Sequence, residues 1–301
     1  MRVLVTGANG FLGRALAERL AARADVALAR GVRRPGSVGD VAIDFTDDAG
    51  LRRALEITRP DVVIHAAGRS SGIDASLDAD NHLATGSIAA ALADAAPQAG
   101  LVLLGSAAQY GRSERRTPWR ESDPCAPLDT YGASKLAAER AALEIAARTG
   151  LRVAPLRIFN VVAGEPIGAQ VLSGFLRKAA AGASTIEMGR LDAVRDFVAL
   201  ADVLTAVERV IERGAWGEAI NVCTGVGRTA RALLEAVASE IGAIRIVESG
   251  GIVESGGSAR GLDWSVGDPG RCEARLGFTP SADLGPTIRC AATWVKGAAH
   301  A

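Results

Sequence analysis

The chain has 301 residues, with 34 Lys and Arg against 34 Asp and Glu, so its formal net charge is zero. That balance excludes a general electrostatic pull toward nucleic acid or an anionic membrane surface, and any anion site must be local. Hydrophobic residues make up 49% and aromatic ones 4%, which predicts an aliphatic, alanine-rich core in one large α/β unit or two domains.

Apolar runs and helical patterns alternate through the first half. RVLVTG opens the chain as a strand, so no signal peptide is expected. FLGRALAERLAARA has helical spacing, followed by the strand DVALARGV, the helix AGLRRALEITRP and the strand DVVIHAAG. A helical stretch near NHLATGSIAAALADAA and the strand GLVLLGS come next. TYGASKLAAERAALEIAARTG reads as a long helix closed by Gly150, and RVAPLRIFN as the strand after it. Such alternation predicts a doubly wound, parallel Rossmann sheet with helices on both faces and right-handed crossovers.

Beyond about residue 160, Gly, Pro and short elements dominate, with helices near 169–182, 201–213 and 229–241. The expected division is a dinucleotide-binding domain over 1–160 and a smaller α/β substrate-binding domain over 161–301. Some late elements are free to return to the first domain. The near-repeat IVESGGIVESGG reads as a Gly/Ser loop, since two copies are too few for a solenoid. No apolar run reaches membrane-spanning length. Cys125, Cys223, Cys272 and Cys290 lack C-x-x-C spacing, and His65, His82 and His300 lack ligand spacing. A reduced, cytoplasmic protein without a metal is expected.

VTGANGFLG places Gly7, Gly10 and Gly13 between the first strand and the first helix. Gly7 permits the tight turn, Gly10 lets backbone approach a pyrophosphate, and Gly13 lets helix and strand pack closely. Free N–H groups and the positive dipole end of the helix then meet the phosphates, with Asn9, Phe11 and Leu12 in the same loop. An ordinary βα turn is the bland alternative, and the strand–loop–helix context argues against it. The second strand ends in ALARGVRRPG, with no carboxylate for a ribose diol but with Arg30, Arg33 and Arg34 clustered. A 2′-phosphate would find guanidinium partners there, so NADP(H) is favoured and NAD(H) possible. A solvated arginine-rich loop is the alternative.

The chain has two tyrosines and three lysines, yet Tyr131 and Lys135 stand four apart on one helix face. A phenol with a pKa near 10 exchanges protons poorly at neutral pH, and an adjacent ammonium is expected to lower that value. A depression of about three units needs about 4 kcal/mol of differential stabilisation, which Lys135, a cofactor ribose and the positive nicotinamide would share. Tyr131 then becomes an acid/base for a carbonyl or an alcohol. Ser106, in LLGSAAQYG, lies at the carboxyl end of the predicted strand, where doubly wound folds bind ligands. Its hydroxyl can hold the reacting oxygen, although alone it would pass for a turn residue.

TGANGFLG, VIHAAG, GSAAQYG, YGASK, LRIFN and RDFV occur in that order. They resemble the extended short-chain dehydrogenase/reductases of the epimerase/dehydratase family, which act on nucleotide sugars, and the resemblance covers nearly the whole chain. It implies Ser106, Tyr131 and Lys135 as the catalytic triad. It implies Ala66, Ala67, Gly68 and Asn81 along the cofactor, and Asp44 and Phe45 beside the adenine, with a helix cap the alternative for Asp44. It further implies Arg195 of RDF and Arg260 of a late loop at the sugar-nucleotide diphosphate, and Asn160 facing the substrate; surface arginines and a strand-end turn are the alternatives. Dehydratases of the family carry an Asp-Glu pair where this chain has Ala107 and Ala108, so sugar dehydration is not expected. The second half resembles the GDP-4-keto-6-deoxy-mannose reductases. The implied activity is therefore reduction of a 4-keto-6-deoxy nucleotide sugar, with a 4-epimerase retaining NAD as the alternative. A reductase of non-sugar ketones and a non-catalytic dinucleotide-binding protein stand further off. A homodimer through helices 84–96 and 131–148 is implied as well, with buried sheet packing an equal explanation of those alanine-rich helices. Gln109 departs from the family, where a branched apolar residue is usual, and is expected not to touch the triad. His65, Tyr110 and Asn221 are expected to be structural.

Overall fold

The computed structural model describes residues 1–168, 170–242, 244–248 and 263–298. Arg260, His300 and most of the Gly/Ser near-repeat lie outside the described residues. β1 (Arg2–Thr6) leads into α1 (Phe11–Ala21), then β2 (Ala27–Val32), β3 (Asp40–Ala42), α2 (Asp48–Thr58) and β4 (Val62–His65). A short α3 (Asp74–Leu77) runs through a wide turn at Asp78–Leu83 into α4 (Ala84–Ala95), followed by β5 (Gly100–Leu104), α5 (Thr130–Thr149) and β6 (Arg152–Ile158). The second half contributes β7 (Asn160–Val162), α6 (Val171–Ala180), β8 (Thr185–Met188), β9 (Val194–Ala199), α7 (Leu200–Arg213) and β10 (Ile220–Val222). It ends with β11 (Gly227–Thr229), α8 (Ala230–Ile241), β12 (Arg245–Glu248), β13 (Trp264–Ser265), α9 (Gly270–Leu276) and α10 (Gly285–Ala298).

Seven parallel strands form the main sheet in the order β3-β2-β1-β4-β5-β6-β10. The order reverses between β1 and β4, which opens a crevice at the carboxyl ends of those strands. Alternate residues of each strand serve opposite faces. Val3 and Val5 join Leu16 and Leu20 of α1 and Val203, Val207 and Val210 of α7. Leu4, between them, joins Leu51 and Leu55 of α2, Ile88 and Leu92 of α4, and Ile145 of α5. Burying one such side chain contributes about 2 kcal/mol.

A third cluster draws on Phe175 and Leu176 of α6, Leu234 and Val237 of α8, and Val295 of α10, and forms a second lobe. The lobe carries a parallel β8–β12 pair and a small sheet in which β11, β13 and β7 all flank β9. The line drawn at residue 160 is crossed by α7, β10 and α9, which pack on the first sheet. The stretch RVAPLRIFN, read as one strand, divides at Phe159: β6 stays in the main sheet and β7 pairs with β9.

Candidate active site

At the β1–α1 turn, Gly7 adopts a left-handed φ of 66°. A β-carbon there would lie 2.6 Å from Ala67 Cα, because the chain leaving β4 crosses directly over the turn. A β-carbon on Gly13 would run into the Gly7 carbonyl oxygen. Gly10, exposed, caps α1 with no side-chain acceptor, and its N–H donates to Gly7 O at 2.8 Å. The first turn of α1 therefore offers backbone N–H groups that no side chain satisfies, a cradle suited to a phosphate.

Beside this cradle, Arg30 Nη2 donates to Asn9 Oδ1 at 2.8 Å. The carboxylate missing from the end of β2 comes instead from the neighbouring strand: Asp40 pairs in register with Arg30, and its Oδ1 lies 3.0 Å from Arg30 Nη1. Arg33 pairs with Asp80 at 3.3 Å, Asp80 also accepts from Arg69 Nε at 2.8 Å, and Arg34 is exposed. Asp44 accepts from the N–H and hydroxyl of Thr46, and these bonds hold its carboxyl below the ordinary value. The cap of α2 is Asp47, which accepts from Gly50 N. Phe45 meets His65 edge-on at 5.3 Å. His65 is buried and shares a 2.8 Å hydrogen bond between its Nδ1 and Thr6 Oγ1. Desolvation, helped by the charge of Lys135, pushes its pKa down to about 3.

Ser106 follows the end of β5 and caps a single helical turn at Ala107–Gln109. Its Oγ accepts from Ala108 N at 3.2 Å. Asp129 caps α5 by accepting from Gly132 N at 2.8 Å. A β-carbon on Gly132 would lie 2.6 Å from Ala108 O, so the first turn of α5 abuts the Ser106 turn. This close approach brings the Tyr131 phenol near enough to Ser106 for the serine hydroxyl to act on its pKa. One helical turn on, Lys135 Nζ donates to Leu104 O at 3.0 Å. The same ammonium stands 3.2 Å from where a β-carbon on Gly68 would be. The structure thus gathers Ser106, Tyr131 and Lys135 where β4 and β5 end.

Without the cofactor that was expected to share in depressing it, the phenol is not lowered by the ammonium. Burial pushes the Tyr131 pKa up, the nearby Ser106 hydroxyl opposes that rise, and the Asp129 carboxylate adds to it. Burial likewise pushes Lys135 down, to about 8. Both groups are biased toward their neutral forms, because taking either charge out of water is unfavourable.

Asn81 is buried, and its amide is occupied by protein. Its Oδ1 accepts from Arg69 N at 2.8 Å, and its Nδ2 donates to Arg69 O and to Ser134 Oγ, each at 2.9 Å. It ties the Gly68–Arg69 turn to α5. The expectation that Gln109 stays clear of the triad is also corrected. Its Oε1 accepts from Ser106 N at 3.0 Å and its Nε2 donates to Glu139 at 2.8 Å. Glu139 and Arg157 were not singled out from sequence, although Glu139 continues the Tyr131–Lys135 spacing by four residues.

Asn160 Nδ2 donates to Asp196 O at 3.3 Å, so Asn160 lies beside the strand that carries Arg195. Arg195 is buried, its Nη1 donates to Val194 O at 3.0 Å, and burial lowers its pKa to about 10.

A doubly wound sheet with a glycine cradle after β1 and a Ser–Tyr–Lys set at the end of β5 defines a short-chain dehydrogenase/reductase. Residues 3–223 match the model of the NAD dependent epimerase/dehydratase family, and the chain belongs to that family. It is 33% identical to dTDP-6-deoxy-L-talose 4-dehydrogenase (NAD(P)(+)) of Kitasatospora kifunensis, over 96% of this chain and 93% of that protein. It is 30% identical to GDP-6-deoxy-D-mannose reductase of Pseudomonas aeruginosa, over 79% of each chain. Among solved structures it is similar to RMD from Pseudomonas aeruginosa complexed with NADPH (26% identity, TM-score 0.82, 98% and 99% of the two chains). It is also similar to MoeE5 in complex with UDP-glucuronic acid and NAD (26% identity, TM-score 0.85, 99% of each chain).

Proposed function

We propose that the protein is a nicotinamide-dependent oxidoreductase that interconverts the 4-keto and 4-hydroxy forms of a 6-deoxy nucleotide sugar. The observation that carries this reading is the gathering of Ser106, Tyr131 and Lys135 beside the uncapped N-terminus of α1. The names of the talose dehydrogenase and the mannose reductase supply the substrate class. The positions after Ser106 are Ala107 and Ala108, which leaves no acid there to expel water.

The cradle suits a dinucleotide. Gly7, Asn9, Gly10, Phe11, Leu12 and Gly13 would hold the pyrophosphate, Asp44 and Phe45 the adenine side, and Ala66, Ala67 and Gly68 the inner face. Asn81 would act by fixing the turn at Gly68. Arg30, Arg33 and Arg34 favour a 2′-phosphate and hence NADP(H), with NAD(H) also accepted because Asp40 and Asp80 offset two of the three charges. When bound, the cofactor donates or accepts a hydride at the sugar carbon. Ser106 Oγ holds the sugar oxygen, and Tyr131 gives that oxygen its proton. A phenol raised by burial is a proton donor in the ligand-free protein, which suits the reductive direction. Lys135 holds the ribose and stabilises the phenolate once it forms. Asn160 and Arg195 would meet the sugar nucleotide, and Arg260 the same diphosphate.

The same reading includes a cytoplasmic homodimer. Among the described residues no helix is long and apolar enough to cross a membrane.

The test incubates the enzyme with NADP+ or NAD+ and dTDP-6-deoxy-L-talose, GDP-6-deoxy-D-talose or GDP-6-deoxy-D-mannose. Stoichiometric NAD(P)H formation supports the reading. Epimerisation of UDP-glucose without net NAD(P)H change would favour a 4-epimerase instead. Equal inertness of wild type and Tyr131→Phe on every sugar would refute both.

A further inference from the structure

We propose that Gln109 is a positioning residue for the Ser106–Tyr131 pair, its side chain tying the Ser106 turn to the helix that carries Tyr131 and Lys135. The kinetic part of its test rests on the functional reading above; the spectroscopic part does not.

Gln109 is fully buried, so it meets neither substrate nor cofactor. The orientation of its amide is dictated by its partners. Oε1 faces the Ser106 N–H and Nε2 faces a Glu139 carboxylate oxygen, and a flipped amide would set donor against donor and acceptor against acceptor. Both bonds are made inside the protein, where an unmade one is expensive.

The far end of the brace is rigid. Glu139 lies four residues beyond Lys135 and eight beyond Tyr131, on the same stripe of α5. Arg157 of β6 grips it with both arms, Nη2 to Oε1 at 2.6 Å and Nε to Oε2 at 3.1 Å. Arg157 Nη1 donates to Tyr110 Oη at 2.9 Å, and the Tyr110 hydroxyl donates to Asn221 Oδ1 at 2.7 Å. The near end has little slack, since a β-carbon on Gly105 would lie 2.9 Å from Gln109 Oε1. An apolar side chain at 109 could fill the space. It would leave the Ser106 N–H and one Glu139 oxygen short of a partner, and the turn would move to find others. Ser106 Oγ, carried by that turn, would lose its alignment with the phenol. Supports of this kind fix first-contact groups, and a misplacement of about 1 Å can lower turnover by about 100-fold.

The experiment uses Gln109→Leu, with Gln109→Asn as a smaller, still polar variant in case the first does not fold. Tyrosine labelled with 13C at Cζ gives two resonances, since the chain has two tyrosines, and Tyr131→Phe assigns them. In the ligand-free protein the Tyr131 line is expected to move in the direction that Ser106→Ala moves it. Turnover of the accepted sugar from the panel above is expected to fall about 10- to 100-fold, with the cofactor KM little changed. In a Ser106→Ala background the same substitution is expected to add little, because Gln109 acts through Ser106. Folded Gln109 variants with a wild-type Tyr131 line and wild-type kcat would overturn the proposal, as would full additivity with Ser106→Ala. If wild type turns over none of the sugars, the functional reading fails and the Tyr131 line alone decides on the brace.

Discussion

At Lys135, burial lowers the pKa from 10.5 to about 8. The unfolded chain holds that proton to about pH 10.5 and the folded one releases it near 8, so in this window the unfolded state binds more protons and stability rises with pH. Activity moves the other way, because the ammonium is the form that stabilises a phenolate. kcat/KM is therefore expected to fall with a midpoint near pH 8, and Lys135→Met to remove that limb together with about 100-fold of activity. His65 works in a different window. Its imidazole titrates at 6.5 unfolded and near 3 folded, so its stabilising contribution is complete above 6.5 and is lost as pH falls toward 3. Urea unfolding between pH 7 and 4 should show a slope to which His65 adds up to about 1.4 kcal/mol per pH unit. His65→Gln should flatten that slope, and an unchanged slope would mean that the ring is not held neutral.

At the level of elements, α5 and β6 are joined by a buried ion pair between Glu139 and Arg157, at 2.6 Å. Arg157→Met leaves a buried carboxylate with Gln109 as its remaining partner, and is expected to cost about 3–5 kcal/mol. Neutralising the carboxylate as well, in Glu139→Gln with Arg157→Met, should recover part of the loss, read as a partial return of the urea midpoint. The helix itself was legible in the sequence: its Gly150 stop adopts φ 78°, and the Tyr131–Lys135 spacing lies within one element. The network beneath it was not, because Gln109 and Glu139 are 30 residues apart and Glu139 and Arg157 18, and no periodicity pairs side chains across elements. β3 was hidden for another reason. Three residues at a sheet edge carry no pattern, so the carboxylate that Asp40 supplies to Arg30 could not be placed.

Across the whole molecule, the sequence leaves late elements free to return to the first domain but does not say which, since β10 is only Ile220–Val222. What fastens the two lobes is also a long-range contact. Asp196, wholly buried on β9, accepts from Thr224 N at 2.9 Å, Thr224 Oγ1 at 2.7 Å, Gly225 N at 2.9 Å and Gly267 N at 3.3 Å. Thr224 and Gly225 follow β10 in the main sheet, and Gly267 follows β13, so one carboxylate joins three segments. Burial raises its pKa and the four bonds oppose that rise. Asp196→Asn turns an NH2 group toward N–H donors that need an acceptor. With charge-assisted bonds worth about 1.5–3 kcal/mol each, losing one of them is expected to lower Tm by about 2–5 °C. The displaced part is β9, which carries Arg195 and touches Asn160, while the cradle on β1 and α1 is untouched. The substrate KM should therefore rise well before the cofactor KM does. A variant with wild-type Tm, or with both KM values raised together, would show that Asp196 does not set the position of one lobe on the other.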